Sequence, residues 1–246
     1  QADKPSPSLP APFALLDSVA RDSLRADVLD AWPATRLQIG MMFHAGYGDD
    51  TALYEDLFSW RLALDTTPDR LTHAMARLCQ RHPVLSSRFQ QTGDVLMQVL
   101  PETKLAALAL HDLRGLPAPV REQRLVEINQ ELAQSRVDPF AGPLFRAAAC
   151  ELDEGQWHIA LLFHHAIVDG WSVSLLTAEW FELSRMTTAA DDANADAAQA
   201  RVDAAAQALH ADAERQALSD QAMRKRWADR LGTEPMGRLW RWPAAP

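Results

Sequence analysis

Two adjacent histidines, His164 and His165, followed closely by Asp169 and Gly170, have the types and spacing for acid–base chemistry. They lie between a short apolar run, 157–163, typical of a strand covered on both faces, and a helix-like run, 171–181. Because side chains alternate along a strand, we expect the two imidazoles on opposite sides, with His165 on the side of Phe163. This argues against one shared metal ion. One imidazole would be a general base in a covered site, and the alternative is a hydrogen-bonded structural pair.

The whole pattern, H-H-x-x-x-D-G followed by Trp171, resembles the signature of condensation domains of nonribosomal peptide synthetases. These belong to the chloramphenicol acetyltransferase-like superfamily. The resemblance implies that His165 is the catalytic histidine and His164 its less critical partner. It also implies that Asp169 orients the loop, that Gly170 lets the substrate approach, and that Trp171 supports the site. The fold class it implies is α/β, an α+β sandwich lobe with a mixed sheet and helices packed on it.

The stretch Ala31–His44 resembles the family's opening motif, with Trp32 where Tyr is usual. Gln38 and Gly40 fit that motif. The alternative interpretation is a buried amphipathic helix with three apolar residues in the core: Leu37, Met41 and Met42.

A further stretch resembles the family's second motif but has Ser86 and Ser87 where Arg and Thr are usual. In related domains that arginine pairs with the signature aspartate. A buried aspartate without a partner is costly, so we expect a cation or a set of donors beside Asp169. The candidates are Arg88, on the same strand face as Ser86, and Arg146, in a segment resembling a third family motif.

The pattern of the rest of the chain predicts alternating strands and helices. Residues 145–151 and 157–163 are expected to form a hairpin, and Thr67-Pro68 to start a helix. The predicted divisions are a linker at 1–12, the N-terminal lobe at 13–186, a flexible Ala/Asp-rich segment at 187–200 and a helical lead-out at 201–246. Helix is expected from about Arg201. The C-terminal lobe is expected to be missing, with Trp240 and Trp242 forming a surface for it.

Bulk composition excludes several classes of function. A net charge of −9 without an extended basic cluster argues against nucleic acid as a partner. The chain has no apolar stretch of membrane-spanning length, so no membrane partner is expected. The two cysteines, Cys79 and Cys150, form no framework or metal spacing and are expected as free buried thiols. We expect a cytoplasmic protein that binds no metal.

The reaction implied by the resemblance is acyl transfer from a thioester on a donor carrier protein to an amine on an acceptor carrier protein. Phosphopantetheine arms of these partners would deliver the substrates, and the lobe itself would bind no cofactor. His165 would act as a base or as a positioning group, and both roles stay open. The start of the following helix offers N–H groups that could stabilise an oxyanion. The lobe alone is expected to be inactive or weakly active.

Four alternatives can be weighed against the residues. Heterocyclisation domains carry Asp in place of the first histidine, and oxygenase-recruiting domains lose the second, so both fit poorly. An epimerisation domain keeps the signature and stays open, as does a non-catalytic carrier-docking module. His164 and Asp169 also match the H-x-x-x-x-D pair of glycerolipid acyltransferases, but phosphate-binding and membrane segments are lacking.

Overall fold

The structure, a computed structural model, describes residues 11–47, 53–102, 108–186 and 193–232. The helices are α1 Ser18–Asp22, α2 Arg36–Tyr47, α3 Pro68–Arg81, α4 Ala118–Gln134, α5 Gly170–Arg185, α6 Ala193–Ser219 and α7 Gln221–Leu231, with a 3₁₀ turn at Pro83–Ser86. The strands are β1 Val28–Pro33, β2 Glu55–Ala63, β3 Arg88–Thr92, β4 Val95–Pro101, β5 Leu108–Asp112, β6 Phe145–Asp153 and β7 Gln156–His164.

The chain divides into two units, one ending at Ala211 and the other starting at Asp212, so that the boundary falls within α6. Both sheets and helices α1 to α5 belong to the first unit. The second unit contains the last turns of α6 and helix α7, which has no buried residue. The candidate site lies wholly within the first unit.

The larger sheet has the strand order β2-β7-β6-β5. β7 is antiparallel to both of its neighbours, whereas β5 is parallel to β6. This confirms the predicted mixed sheet and the predicted β6–β7 hairpin. A second, antiparallel sheet of order β1-β4-β3 also forms, which the sequence analysis did not anticipate.

β7 is buried from Trp157 to its end because both faces of the larger sheet are covered. On one face, Ile159 and Phe163 lie in a core cluster with Leu71 of α3 and Trp180 of α5. The Trp180 indole N–H donates to the Leu71 carbonyl at 3.1 Å, which satisfies its polar atom inside that core. On the other face, residues of α4 pack against Ala160. The continuous apolar run in the sequence therefore reflects burial on two sides.

Helix α3 starts as the sequence predicted. Thr67 is the N-cap and its hydroxyl accepts a hydrogen bond from the Arg70 N–H, while Pro68 occupies the first turn. Cys79 and Cys150 are buried and form no disulfide bond, as expected. Burial raises the pKa of the Cys150 thiol to about 11, which leaves it unreactive.

Two predictions about local structure were wrong. The stretch Ala31–His44 is not one buried helix, since its first residues belong to β1 and the helix starts at Arg36. Leu37, expected in the core, is 68% exposed on α2, whereas Met41 and Met42 are partly buried and pack against a core cluster. Helix α6 begins at Ala193 and not near Arg201, because buried ion pairs fix its first turns.

Three predictions concern residues that lie wholly or partly outside the described ranges. They are the linker (residues 1–10), the Ala/Asp-rich segment (187–192) and the surface formed by Trp240 and Trp242. None of the helices in the described ranges combines the length and apolar character needed to span a bilayer.

Candidate active site

The candidate catalytic loop carries the chain from the end of β7 into α5. The His164 N–H donates to the Leu144 carbonyl at 3.0 Å and the His165 N–H donates to the Tyr54 carbonyl at 2.9 Å. The loop thus leaves the sheet while it is still bonded to the strands on both sides. The Ile167 N–H then donates to the His164 carbonyl at 3.1 Å, which closes a turn.

His164 is a buried structural imidazole with a relative exposure of 1%. Its Nδ1 accepts the Ala166 N–H at 3.0 Å, which requires a neutral ring with the proton on Nε2. Burial, together with the neighbouring His165, lowers the pKa of His164 to about 4. His164 therefore stays neutral near physiological pH and holds the backbone of the loop.

His165 stands on the other side, where its side chain is 32% exposed. Its ring packs edge-on against Phe163 at a centroid distance of 5.5 Å, as alternation along the strand predicted. Its Nε2 lies 2.8 Å from Oδ2 of Asp56. A carboxylate only accepts, so Nε2 carries a proton and Nδ1 of the neutral ring presents its lone pair. Within the described ranges, no group hydrogen-bonds to that Nδ1.

Asp56 is a residue that the sequence analysis missed. It lies on β2, directly opposite Phe163 of β7, and its side chain is 46% exposed. The sequence gives no indication that the strand containing Asp56 borders the signature strand. The one weak signal is the acidic pair Glu55-Asp56 at the start of an otherwise uncharged or basic strand.

Asp169 is an exposed helix cap and not a buried partner of a cation. Its Oδ1 accepts the Ser172 N–H at 2.8 Å, and these hydrogen bonds from Ser172 lower the pKa of Asp169. Its carbonyl also accepts the Val173 N–H at 2.9 Å. The set of donors expected beside this carboxylate is therefore the start of α5 itself. Because Ser172 is already engaged, the N–H groups of Gly170 and Trp171 are the ones left near the loop.

Neither proposed arginine reaches Asp169, which corrects that part of the sequence analysis. Arg146 donates from Nη1 to the Ser135 carbonyl at 3.0 Å, next to the end of α4. Arg88 has its Cβ beside Gly142, and its buried Nη2 has no hydrogen-bond partner among the described residues. An exposed Asp169 needs no cation, because solvent and helix donors already stabilise its charge.

The two residues after Asp169 are open to solvent. A Cβ added at Gly170 would meet no atom within 4 Å, which leaves room for a substrate to approach the backbone. Trp171 is 77% exposed, so the structure gives it no packing role in supporting the loop.

A cleft of about 210 Å³ lies beside His165. It is lined by the loop from His165 to Asp169, by α2 and by α6, whose lining residues include Gln38, Met41, Gln207 and His210. An adjoining cavity of about 350 Å³ shares Ile167 and Val168 with it. The α6 residues that line the cleft follow the Ala/Asp-rich segment, in a stretch where no motif marks a functional residue. Among the described residues, no group of three or more His, Cys, Asp or Glu side chains is placed to hold a metal ion.

The chain belongs to the condensation domain family. The family's sequence profile matches residues 28–220, which is well over half of the chain. The matched region contains the signature loop, Tyr54 and Leu144 that accept hydrogen bonds from it, and every residue that lines the cleft.

One relative and two solved structures define this family likeness further. The AMB antimetabolite synthetase AmbE of Pseudomonas aeruginosa is 34% identical over 171 residues, covering 68% of this chain and 8% of that protein. The condensation domain of the Monacolin K polyketide synthase MokA matches with a TM-score of 0.61 and 16% identity, over 87% of this chain and 45% of that one. The cyclization-docking bidomain of the peptide synthetase EpoB from Sorangium cellulosum matches with a TM-score of 0.60 and 21% identity, over 87% and 43%.

The structural likenesses establish the fold, which is the chloramphenicol acetyltransferase-like fold of condensation domains, as the sequence predicted. The chain spans less than half the length of these structures and less than a tenth of AmbE.

Proposed function

We propose that this chain is the N-terminal lobe of a peptide-synthetase condensation domain and that His165 acts at the reacting centre of amide bond formation. The observation that carries this proposal is the position of His165. Its ring lies at the end of a buried strand and lines a cleft, with one nitrogen bonded to Asp56 and the other without a hydrogen-bond partner among the described residues.

The chemistry joins a thioester and an amine. The amine nitrogen of the acceptor attacks the thioester carbonyl of the donor, so that a C–N bond forms and the C–S bond breaks. The proton lost by the amine passes to Nδ1 of His165 and from there to the departing thiolate, which leaves as a thiol. The Asp56 carboxylate, accepting from Nε2–H, stabilises the ring while it carries the extra proton.

The partners of this reaction are proposed to be donor and acceptor carrier proteins, whose phosphopantetheine arms bring the thioester and the amine to the cleft. The lobe is proposed to bind no cofactor of its own. The matched solved structures are more than twice the length of the aligned region. This supports a second lobe, outside the present sequence, that would supply the opposite wall of the site. A cytoplasmic location belongs to the same proposal and is supported by the two buried cysteines, which form no disulfide bond.

The test is amide formation by the full-length protein that carries this chain, with loaded donor and acceptor carriers and detection of the product by mass spectrometry. We expect His165→Ala to lower the single-turnover rate by about 100-fold or more, the usual contribution of a positioned acid–base group. His73→Ala is the matched control, because His73 is exposed on α3 and lines neither cavity. A rate near that of the wild type in His165→Ala would refute the assignment.

The same assay separates the alternatives. A docking module would bind the carriers equally well with or without His165, and the wild-type protein would form no amide. An epimerisation domain would exchange the configuration of the carrier-bound aminoacyl group without joining it to a second one.

A further inference from the structure

Three polar side chains form a chain of hydrogen bonds beneath the catalytic loop. Gln98 on β4 and Ser87, just before β3, are fully buried, and Gln38 on α2 is partly buried. The Ser87 hydroxyl donates to the Val84 carbonyl at 2.7 Å and accepts from Gln98 Nε2 at 3.0 Å. Gln98 Oε1 in turn accepts from Gln38 Nε2 at 2.9 Å.

Gln38 connects this chain to the loop. Besides Gln98, its Nε2 donates to the Ala166 carbonyl at 2.8 Å. Its Oε1 accepts the Thr35 N–H at 2.9 Å, while its own N–H donates to Thr35 Oγ1 at 3.3 Å, which is a capping box at the start of α2. Nε2 thus faces two acceptors and Oε1 faces a donor. A flipped amide would break all three contacts, so only one orientation of the Gln38 side chain fits.

The contacts to Ala166 fix the backbone on both sides of this residue. Its N–H donates to Nδ1 of His164 at 3.0 Å, and its carbonyl accepts from Gln38. The peptide group that leads out of His165 and the next one along the chain are therefore both held by side chains. A loop restrained at two successive peptide groups has little freedom to move the imidazole that precedes them.

We propose that Gln38 is a positioning residue for amide formation, which holds the Ala166 carbonyl so that the His165 ring stays in the cleft. Gln98 and Ser87 keep the Gln38 amide in its one productive orientation. This inference rests on the proposed function, because it gives a role in that reaction to residues that do not contact the reacting atoms. Catalytic groups have to be held closely, and a displacement of about 1 Å costs roughly 100-fold in rate.

The test compares variants of the full-length protein by steady-state kinetics and by hydrogen exchange of the peptide that covers residues 164–169. Gln38→Met removes both donors at nearly constant size. Gln38→Glu keeps the oxygen that caps Thr35 but has no N–H to donate to Ala166. We expect both to lower kcat by about tenfold or more with little change in KM, and to speed exchange in the loop.

Ser87 is the far end of the chain of hydrogen bonds. Ser87→Ala removes the hydroxyl that orients Gln98 and is expected to give a smaller loss of kcat in the same direction. The control is Ser59→Ala, because Ser59 is exposed on β2 and lines neither cavity, and it is expected to retain both the wild-type rate and the wild-type exchange.

The outcomes are distinguishable. Unchanged exchange in Gln38→Met overturns the claim that Gln38 holds the loop, and faster exchange with an unchanged kcat overturns the positioning role. A normal kcat in Gln38→Glu, with a low one in Gln38→Met, would assign the effect to helix capping and overturn the proposal. If the wild-type protein forms no amide, the proposed function fails by itself, and loop exchange still decides whether Gln38 holds Ala166.

Discussion

At the scale of single residues, two neighbouring histidines have opposite environments because they lie on opposite sides of one strand end. His164 is buried and its Nδ1 accepts the Ala166 N–H, so its ring is neutral. His165 stands in the cleft against a carboxylate. The strand period alone predicted this separation. The pair thus combines one buried histidine that holds the loop backbone with one whose ring lines the cleft.

Replacing Asp56 with Asn is expected to reduce catalysis without unfolding the protein. The Asp56 carboxylate selects the Nε2–H form of His165 and stabilises the protonated ring, whereas an amide can also donate to Nε2 and favour the wrong tautomer. We expect kcat to fall by about tenfold or more, as for other groups that orient a catalytic base. Because the pair is partly exposed, its removal should change the free energy of unfolding by less than about 1 kcal/mol.

The control is Glu154→Gln, which neutralises an exposed carboxylate in the β6–β7 turn. It should leave both kcat and the urea midpoint unchanged. An Asp56→Asn protein with full activity would show that Asp56 has no part in the reaction.

The sequence predicted the central residues of the site but not their supporting contacts. The spacing of His165, Asp169 and Gly170 was sufficient to place them at a strand end, in a turn and at a helix start. Asp56 and Gln98 were not recognised as supporting residues, because each meets the site through strand pairing or packing between segments far apart in sequence. Asp169 was expected to be buried, and a local motif does not encode its solvent exposure.

At the scale of elements, ion pairs among a cluster of charged side chains hold α6 against α3 and α5. The members of this ion-pair cluster are Arg77, Arg81, His82, Glu179, Asp196 and Asp203. Asp196 has 4% side-chain exposure and bonds Arg77 at 3.0 Å and Arg81 at 3.0 Å. These pairs explain why the first turns of α6, whose Ala/Asp-rich sequence lacks a strong apolar face, are held against α3.

Removing Asp196 should strongly destabilise the first unit. Asp196→Ala leaves Arg77 and Arg81 without their shared carboxylate, and breaking a buried pair costs about 3 to 5 kcal/mol. We expect a loss of about 3 kcal/mol in the free energy of unfolding, measured by urea titration with circular dichroism.

Glu182→Ala is the matched control, because Glu182 is an exposed acid on the neighbouring α5. It should fall within about 0.5 kcal/mol of the wild type. If the free energy of unfolding of Asp196→Ala matched that of this control, the ion-pair cluster would not be what holds α6 in place.

At the scale of the whole molecule, the sequence predicted the central hairpin, the mixed sheet and most helices, because each has a local pattern. It did not predict the second sheet or the position of β2 beside β7, since strand order depends on contacts that no local pattern encodes. The start of α6 was placed too late for a similar reason. Asp196 and Asp203 have their ion-pair partners at least 115 residues away.

Two histidines give the whole molecule opposite dependences on pH. His82 contacts Asp203 through Nδ1 and Glu179 through Nε2, so both ring nitrogens carry protons. Burial alone would lower the pKa of His82, but the hydrogen bonds to these two carboxylates outweigh it and raise the pKa above 6.5. Its stabilising contribution is complete below pH 6.5 and is lost as the pH rises through the raised pKa. The lowered pKa of His164 makes stability change with pH in the opposite direction. Between pH 6.5 and about 4 the unfolded chain binds a proton that the folded protein does not, so stability is lost as the pH falls.

The free energy of unfolding should therefore be greatest near the ordinary imidazole pKa of 6.5 and decline on both sides. On the acid side, the pKa of about 4 for His164 corresponds to a loss on the order of 3 kcal/mol. His164→Asn should make the acid limb shallower, since the Asn Oδ1 can still accept the Ala166 N–H but does not titrate. The lowered pKa values of His111 and His158 keep part of that limb. His82→Asn should flatten the alkaline limb and leave the acid one in place. Urea titrations at a series of pH values provide the measurement. A His164→Asn protein that keeps the full acid limb would place the responsible proton on another group.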